Sequence, residues 1–371
     1  MSLDPFVFRL RGLAQRGLPR MYVPEEQAFV FRLRAVPEGI VSEGRSFRYG
    51  AIVLIGLATE TDEVSRSILG GATARDAATR LLAGLPQVTN LGDVALALWA
   101  MRALGLDPGP AHRRLLEMRP EEGPQATVEL AWALSALCAH ADAFEEDLSR
   151  RIARRLLDAF VPRAGLFPHQ VSRRGRGLRA HVSCFADLVY PIQALATYVR
   201  RTGDAEALAA ALACARAICR HQGPAGQWWW HYDVRTGAVI EPYPVYAVHQ
   251  DAMAPLALFA LEQATGESFD PWIARGLQWL DRSPELGGGS LVDERADLVW
   301  RKVGRHEFKK ASRYVQAAAS RLIPRLRAPG IDRLLPAGAV DHEDRPYHLG
   351  WLLHAWPAAR AAAFAPLLAA G

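Results

Sequence analysis

Lysine is nearly absent from this chain: only three of its 44 Lys and Arg residues, Lys302, Lys309 and Lys310, are lysine. With the abundance of Ala, that bias marks a GC-rich, bacterial genome rather than a nucleic-acid surface. The formal charge of +5 is small for 371 residues and is spread along the chain. No basic run with interleaved stacking aromatics stands out, so no nucleic-acid partner is expected. Cysteine is scarce too. Cys138, Cys184, Cys214 and Cys219 form no C-x-x-C pair, and three of them sit in helical apolar patterns, the habit of buried thiols in a reducing compartment. No secretion signal is visible, and the longest apolar run, 51–58, is too short to span a bilayer. A cytoplasmic protein is expected. The spacing His-x-x-x-His is missing, as are G-x-S-x-G, a P-loop and a dinucleotide fingerprint. Metal, cofactor, nucleotide and serine-hydrolase chemistry are therefore not expected.

What is present is apolar helix. Half the residues are hydrophobic, enough for a large core. From residue 46 onward the pattern is almost wholly helical and comes in pairs. The first helix of each pair is apolar nearly all round and should be buried; the second is amphipathic, rich in Arg and Glu, and should face solvent. About six such pairs imply two concentric rings, the α/α toroid, with inner helices starting near Arg48, Asn90, Gln125, Ser183, Asp251 and Tyr347. An α-solenoid would need more regular repeat lengths. The expected organisation is an N-terminal extension over 1–45, containing a short strand at 27–34, and an all-α toroid over 46–371. A long helix is expected over 306–326. Pro191 and Pro255 should kink two inner helices or mark their starts. Phe6, Val7, Phe8 and Leu10 beside Arg9, Arg11 and Arg16 give residues 3–16 the character of a weak membrane-surface contact, against the plainer reading that they pack on the domain.

The stretch from Gln222 to Ala254 breaks the helical pattern. It carries Trp228, Trp229, Trp230, His231, Tyr232 and Asp233, then Glu241, Tyr246, His249, Gln250 and Asp251. Disordered segments are poor in aromatics, so this is expected to be an ordered loop lining a site. Inner helices that run parallel gather their N-termini at one end, and the starts carry polar groups: Arg48 and Tyr49, Asn90 and Asp93, Glu129, His181 and Asp187, His348. Helix N-termini favour anionic or oxygen-rich ligands, and aromatic faces suit sugar rings. The candidate catalytic groups are Asp233, Asp251, Glu241, His249 and Asp187. The candidate substrate-binding groups are Trp229, Trp230, His231, Tyr232, Tyr246, Gln250, Tyr49, Arg48, His181 and His348. A glycosidase needs two carboxyl groups about the scissile bond; a lyase or epimerase needs a base, a proton donor and a cation for a uronate, for which Arg48 and Arg179 would serve. The expected ligand is an oligosaccharide or polysaccharide.

Two resemblances lie in the same stretch. The run Gly226-Gln-Trp-Trp-Trp-His-Tyr-Asp233, followed by Glu241 and an Ala-rich helix from Asp251, resembles six-hairpin glycosidases and unsaturated-uronyl hydrolases over about 40 residues. That likeness implies an α/α toroid with Asp233 or Asp251 as acid/base and Trp229 and Trp230 as sugar platform. Gln222-Gly-Pro-Ala-Gly-Gln-Trp228 is similar to the Q-x-x-x-G-x-W motif of terpene cyclases and prenyltransferases, which share the toroid and use the motif structurally. Their acidic D-x-D-D is not matched, since Asp341-His-Glu-Asp344 departs from it and His249-Gln250-Asp251 keeps one Asp. A glycosidase, lyase or epimerase is the expected activity, with a cyclase-like enzyme or a non-catalytic glycan-binding toroid as alternatives.

Overall fold

The computed structural model describes residues 6–140, 144–172, 179–308 and 310–369. Helix α1 (Phe6–Gly17) comes first. Five inner helices are followed by outer ones: α2 (Phe47–Leu57) by α3 (Asp62–Ile68) and α4 (Ala74–Ala83), α5 (Leu91–Ala103) by α6 (Gly109–Glu117), α7 (Thr127–Cys138) by α8 (Glu146–Ala159), α9 (Ala186–Thr202) by α10 (Ala205–Arg220), and α11 (Ala254–Thr265) by α12 (Asp270–Asp281). The segments α13 (Ala311–Leu322) and α14 (Ile331–Leu334) precede the last pair, α15 (Pro346–Ala355) and α16 (Ala358–Ala369). The inner helices touch in the cyclic order α2, α5, α7, α9, α11, α15 and back to α2. The protein is an α/α toroid.

The inner ring is apolar because each of its helices has neighbours on every side. In α5, Val94, Ala95, Leu96, Ala97, Leu98 and Met101 are all fully buried, and each large aliphatic side chain so placed contributes about 1.5–3 kcal/mol. The ring closes where the backbones of α2 and α15 cross. A Cβ added at Gly56 would lie 2.3 Å from Gly350 O, and one added at Gly350 would lie 2.8 Å from Val53 Cα. Only glycine permits that approach.

Each inner helix is followed by an outer helix that returns the chain, so all six run the same way. At their C-terminal end the turns are short, as at Gly203 and Gly266 in left-handed conformations. At their N-terminal end the connections are long and form small antiparallel sheets. In the first, β1 (Tyr22–Val23), β2 (Ala28–Val36) and β3 (Gly39–Arg45) lead into α2. In the second, β4 (Val182–Cys184) leads into α9 and pairs with β5 (His231–Asp233), which pairs with β6 (Val239–Glu241). Strand β7 (Val245–Tyr246) precedes α11, and β8 (Val292–Asp293) pairs with β9 (Leu298–Val299). Strand β10 (Lys302–Arg305) joins β7 to β11 (Ala337–Asp341), and β12 (Glu343–Asp344), just before α15, adds to β2. These strands replace part of the helix and loop expected from the sequence. Residues 302–305 are strand because they pair with β11, and Lys302 and Val303 with β7 as well, and the helix expected over 306–326 shortens to α13, ending before Pro324.

Pro191 lies within α9. Pro255 sits in the first turn of α11, just after a π-helical turn, His249–Met253. Strand β2 covers the strand expected at 27–34. The first 45 residues share the main core: Val7, Leu10, Leu13 and Ala14 of α1 are fully buried in it. That packing corrects the membrane-contact reading for residues 6–14, because their apolar face is turned inward; residues 3–5 lie outside the described residues. No helix among the described residues is long and apolar enough to cross a membrane.

Gly56→Ala or Gly350→Ala should force the α2 and α15 backbones apart and cost about 1–3 kcal/mol in urea unfolding. Gly12→Ala, whose Cβ meets only the flexible end of Arg16, should be neutral or slightly stabilising.

Candidate active site

Six helix N-termini converge at the sheet-bearing end, and their free N–H groups favour negative charge there. Three of the starts are linked by one polar network. Arg48 donates from Nη2 to Asn90 Oδ1 at 2.8 Å and from Nε to Asp93. Asn90, which caps α5, donates through Nδ2 to Glu129 Oε1 at 2.8 Å. The Arg48 guanidinium also lies over the Trp132 ring.

The next sector holds a carboxylate–imidazole pair. The segment before β4 is pinned along the start of α7: Thr127 N donates to His169 O at 3.1 Å, Val171 N donates to Gln125 O at 3.1 Å, and Thr127 Oγ1 donates to Pro168 O. With its backbone held, His169 places Nδ1 3.1 Å from both carboxylate oxygens of Asp187. Asp187 is wholly buried in the first turn of α9 and accepts from Cys184 N at 2.8 Å. The imidazole, by contrast, is 62% exposed. Its hydrogen bond to Asp187 and the charge of that group raise its pKa above the ordinary imidazole value, and Glu129 adds to the effect. The result is an acid in contact with solvent, held by a buried carboxylate.

Cys184 completes the cluster. The donor atoms of His169, Cys184 and Asp187 lie within 4.8 Å of one another, so these are the residues that could hold a divalent cation with a position left open. Burial and the neighbouring Asp187 push the Cys184 thiol well up, so on its own it is no thiolate nucleophile.

The adjoining wall, which starts at the strand paired with β4, is aromatic and cationic. Trp230 stacks on His231 with ring centroids 3.8 Å apart and meets Tyr246 edge-on at 5.6 Å. Lys310 and Arg313 lie over Trp230 at 5.4 and 5.9 Å, and Arg301 and Lys302 lie over Tyr246 at 5.4 and 5.7 Å. Arg179 donates to His231 Nε2 at 3.2 Å. Burial, then Arg179 and the other cations, hold His231 well below the ordinary imidazole value, so it is neutral. Asp341 pairs with Arg301 and Lys302, but among the described residues neither Lys310 nor Arg313 has a carboxylate partner. Burial and the charges of Lys302, Arg301 and Arg313 push Lys310 down to about 8. Tyr246, Tyr347 and Tyr190 link this wall to the first sector: Tyr347 is within electrostatic reach of Arg301, Tyr49 and Tyr246, and Tyr190 of Tyr347 and Arg48.

The site therefore brings together Arg48, Tyr49, Asp187, Trp230, His231 and Tyr246 of the expected residues. The acids of the aromatic stretch are each engaged by a cationic partner. Asp233 is held bidentately by Arg235 at 3.0 and 2.7 Å. Glu241 accepts from Arg305 at 2.9 Å and from Tyr243 N at 3.0 Å. Asp251 accepts from His348 at 2.8 and 2.9 Å, wholly buried beside Asp344, which burial pushes up to about 6. Asp233, Glu241 and Asp251, expected to line a single cavity, are each buried with a partner of their own.

Strand alternation explains Tyr232: it turns away from His231 and Asp233 into the core, toward His221. His249 is buried against Phe185 and pushed down to about 3, chiefly by desolvation. Gln250 is spent on the backbone, accepting from Trp228 N at 3.1 Å and donating to Tyr246 O at 3.0 Å. His181 pairs with Ser320 at 2.9 Å under α13, and Trp229 packs edge-on against Tyr243. Gln222, the first residue of the Q-x-x-x-G-x-W match, donates to Gly226 O at 3.0 Å and Trp272 O at 2.8 Å, tying the loop to α12.

Sequence reasoning passed over His169, Cys184, Arg301, Lys302, Lys310 and Arg313 as site residues. One signal was available: all three lysines of an arginine-rich chain fall between 302 and 310.

No protein-family model matches the chain, and no curated protein matches it in sequence. Solved structures match it in shape. An unsaturated glucuronyl hydrolase specific for heparin superposes with a TM-score of 0.63 at 13% identity, covering 96% of this chain and 97% of that one. A protein from Listeria innocua gives 0.58 at 11%, covering 97% and 98%. A possible GH105-family member from Klebsiella pneumoniae gives 0.58 at 11%, covering 95% and 92%. The likeness establishes the fold, an α/α toroid.

Because Asp187 favours the charged imidazole, Asp187→Asn should lower the pKa of His169, read from the pH titration of its ring C–H resonances. An unchanged midpoint would dissolve the pair. His348→Ala, which leaves Asp251 buried without its partner, should cost about 3–5 kcal/mol in denaturant unfolding, whereas His169→Ala at the solvent-facing site should cost far less.

Proposed function

We propose that this protein is a carbohydrate-active enzyme that acts on an oligosaccharide bearing an acidic sugar, by acid/base catalysis at the N-terminal ends of the inner helices. The observation that carries this reading is the exposed His169, held by buried Asp187, beside a wall of Trp230 and Tyr246 overlaid by Lys310, Arg313, Arg301 and Lys302. An aromatic face takes the C–H face of a pyranose ring. The unpaired cations take its carboxylate or sulfate. In this reading the charged imidazole of His169 donates a proton to the departing or rearranging oxygen, and Asp187 keeps that proton available. Glu129, whose carboxylate is within electrostatic reach of His169, is the candidate base. The likeness in fold to an unsaturated glucuronyl hydrolase specific for heparin is consistent with such a substrate. A cyclase would need a closed apolar pocket; a site built from ion pairs and an exposed imidazole supports that alternative poorly.

The test is a panel of unsaturated and saturated uronate oligosaccharides followed by mass detection. Wild type should convert at least one of them. Asp187→Asn and His169→Ala should each lower turnover by about 100-fold or more with little change in melting temperature. The limb on which the acid deprotonates should lie above the ordinary imidazole pKa in wild type, since the protonated form is the active one and Asp187 stabilises it. That limb should move to lower pH in whatever activity Asp187→Asn retains. Full activity of both variants on an identified substrate would remove the pair from the mechanism.

A further inference from the structure

The surface of α13 and the chain after it is inside out. A surface helix on a globular domain normally buries its apolar side. Here α13 buries Ser312, Gln316 and Ser320 and exposes Tyr314, Val315 and Leu322. Its inner side has fixed work to do. Ala317 packs with Val182 and Ile240 of the sheet before α9 and α11, Ser320 meets His181 at 2.9 Å, and Arg235 donates to Ser320 O at 2.6 Å. The helix is bolted down by small and polar residues, so the outward-facing side chains are not a misplaced core.

The exposure continues past the helix. Residues 321–327, Arg-Leu-Ile-Pro-Arg-Leu-Arg, are exposed throughout. Leu322 is 82% exposed and Ile323 59%. Of the ten large hydrophobic residues exposed among the described residues, six lie between 314 and 334, so this is one patch rather than scattered surface apolarity. Arginines alternate with the aliphatic side chains: Arg321, Arg325, Arg327 and Arg333 are all exposed, with Asp332 as the acid among them, pairing with Arg327.

We propose that the flap formed by α13 and the 321–334 segment docks on an anionic lipid surface. Aliphatic side chains interleaved with arginines suit that occupant: the first enter the headgroup boundary, and the second meet lipid phosphates while their stems cross the apolar zone. A glycan strand would be met by aromatic faces, as at Trp230, rather than by exposed Leu and Ile. Lys310 and Arg313, at the root of the flap, lie over Trp230, so docking would set the candidate active site beside the lipid headgroups.

The experiment is co-sedimentation of the full chain with vesicles of phosphatidylcholine, with and without phosphatidylglycerol. Binding should require the anionic lipid and weaken at high salt. The double variant Leu322→Ser/Ile323→Ser should reduce partitioning by about tenfold or more, because two aliphatic side chains leave the boundary. Its melting temperature should match wild type, since both residues are exposed. Arg321→Gln/Arg325→Gln should reduce binding to the anionic vesicles. Failure to bind phosphatidylglycerol vesicles at low salt would overturn the proposal, as would equal binding by the double variant. A wild-type dimer in light scattering that the double variant loses, without vesicle binding, would assign the patch to a second copy of this chain instead.

Discussion

Two glycines hold the ring shut. At Gly56 and Gly350 the first and last inner helices approach backbone to backbone, closer than any Cβ would allow. That contact turns a row of helical hairpins into a closed toroid. The returning outer helices make the six inner helices parallel, and closure makes them neighbours in one ring, so that six N-termini meet at one end. The gathering of capping residues and small sheets at one end goes with that arrangement.

The site itself is built by division of labour. Apolar bodies of the inner helices supply rigidity, and the starts of α2, α5, α7 and α9 supply polar groups: Arg48 and Tyr49, Asn90 and Asp93, Glu129, and Asp187. The connections supply the rest: His169 from the segment before α9, Trp230 and His231 from β5 and the residue before it, Lys302 from β10, Lys310 from the start of α13. Acids that might compete are neutralised locally. Arg235 takes Asp233, Arg305 takes Glu241, and His348 takes Asp251. This leaves Asp187 with a partner that solvent can reach.

The toroid was legible in the sequence because periodic burial is a local signal. An apolar helix followed by an amphipathic one announces an inner and an outer position, and the six inner starts near Arg48, Asn90, Gln125, Ser183, Asp251 and Tyr347 fall within a few residues of the observed ones. The site was legible by region and, at Arg48, Tyr49, Asp187, Trp230, His231 and Tyr246, by residue; the pairing of Asp233, Glu241 and Asp251 was not. Asp233 and Arg235 are two apart in sequence, yet their pairing depends on a hairpin turn that spacing does not announce. Glu241 and Arg305 are 64 residues apart, and Asp251 and His348 are 97 apart. Which carboxylate finds a cation is set by tertiary contact. His169 was passed over because a lone histidine in a loop carries no pattern until Asp187 stands beside it.

The seam between α2 and α15 also bears on synthesis. The apolar face of α2 is made early, but its partner is encoded nearly 300 residues later. Thr59 Oγ1 donates to Gly56 O and lies 3.4 Å from Leu353 O, and Arg11 pairs with Glu60 and donates to Trp356 O. Until residue 356 has left the ribosome, the emerging protein is an open arc with two sticky ends. Contacts of such long sequence separation form slowly, and chains waiting for them are prone to join with one another. The vulnerable interval spans the synthesis of the nearly 300 residues between the two faces of the seam, and a chaperone that covers the α2 face would act throughout it.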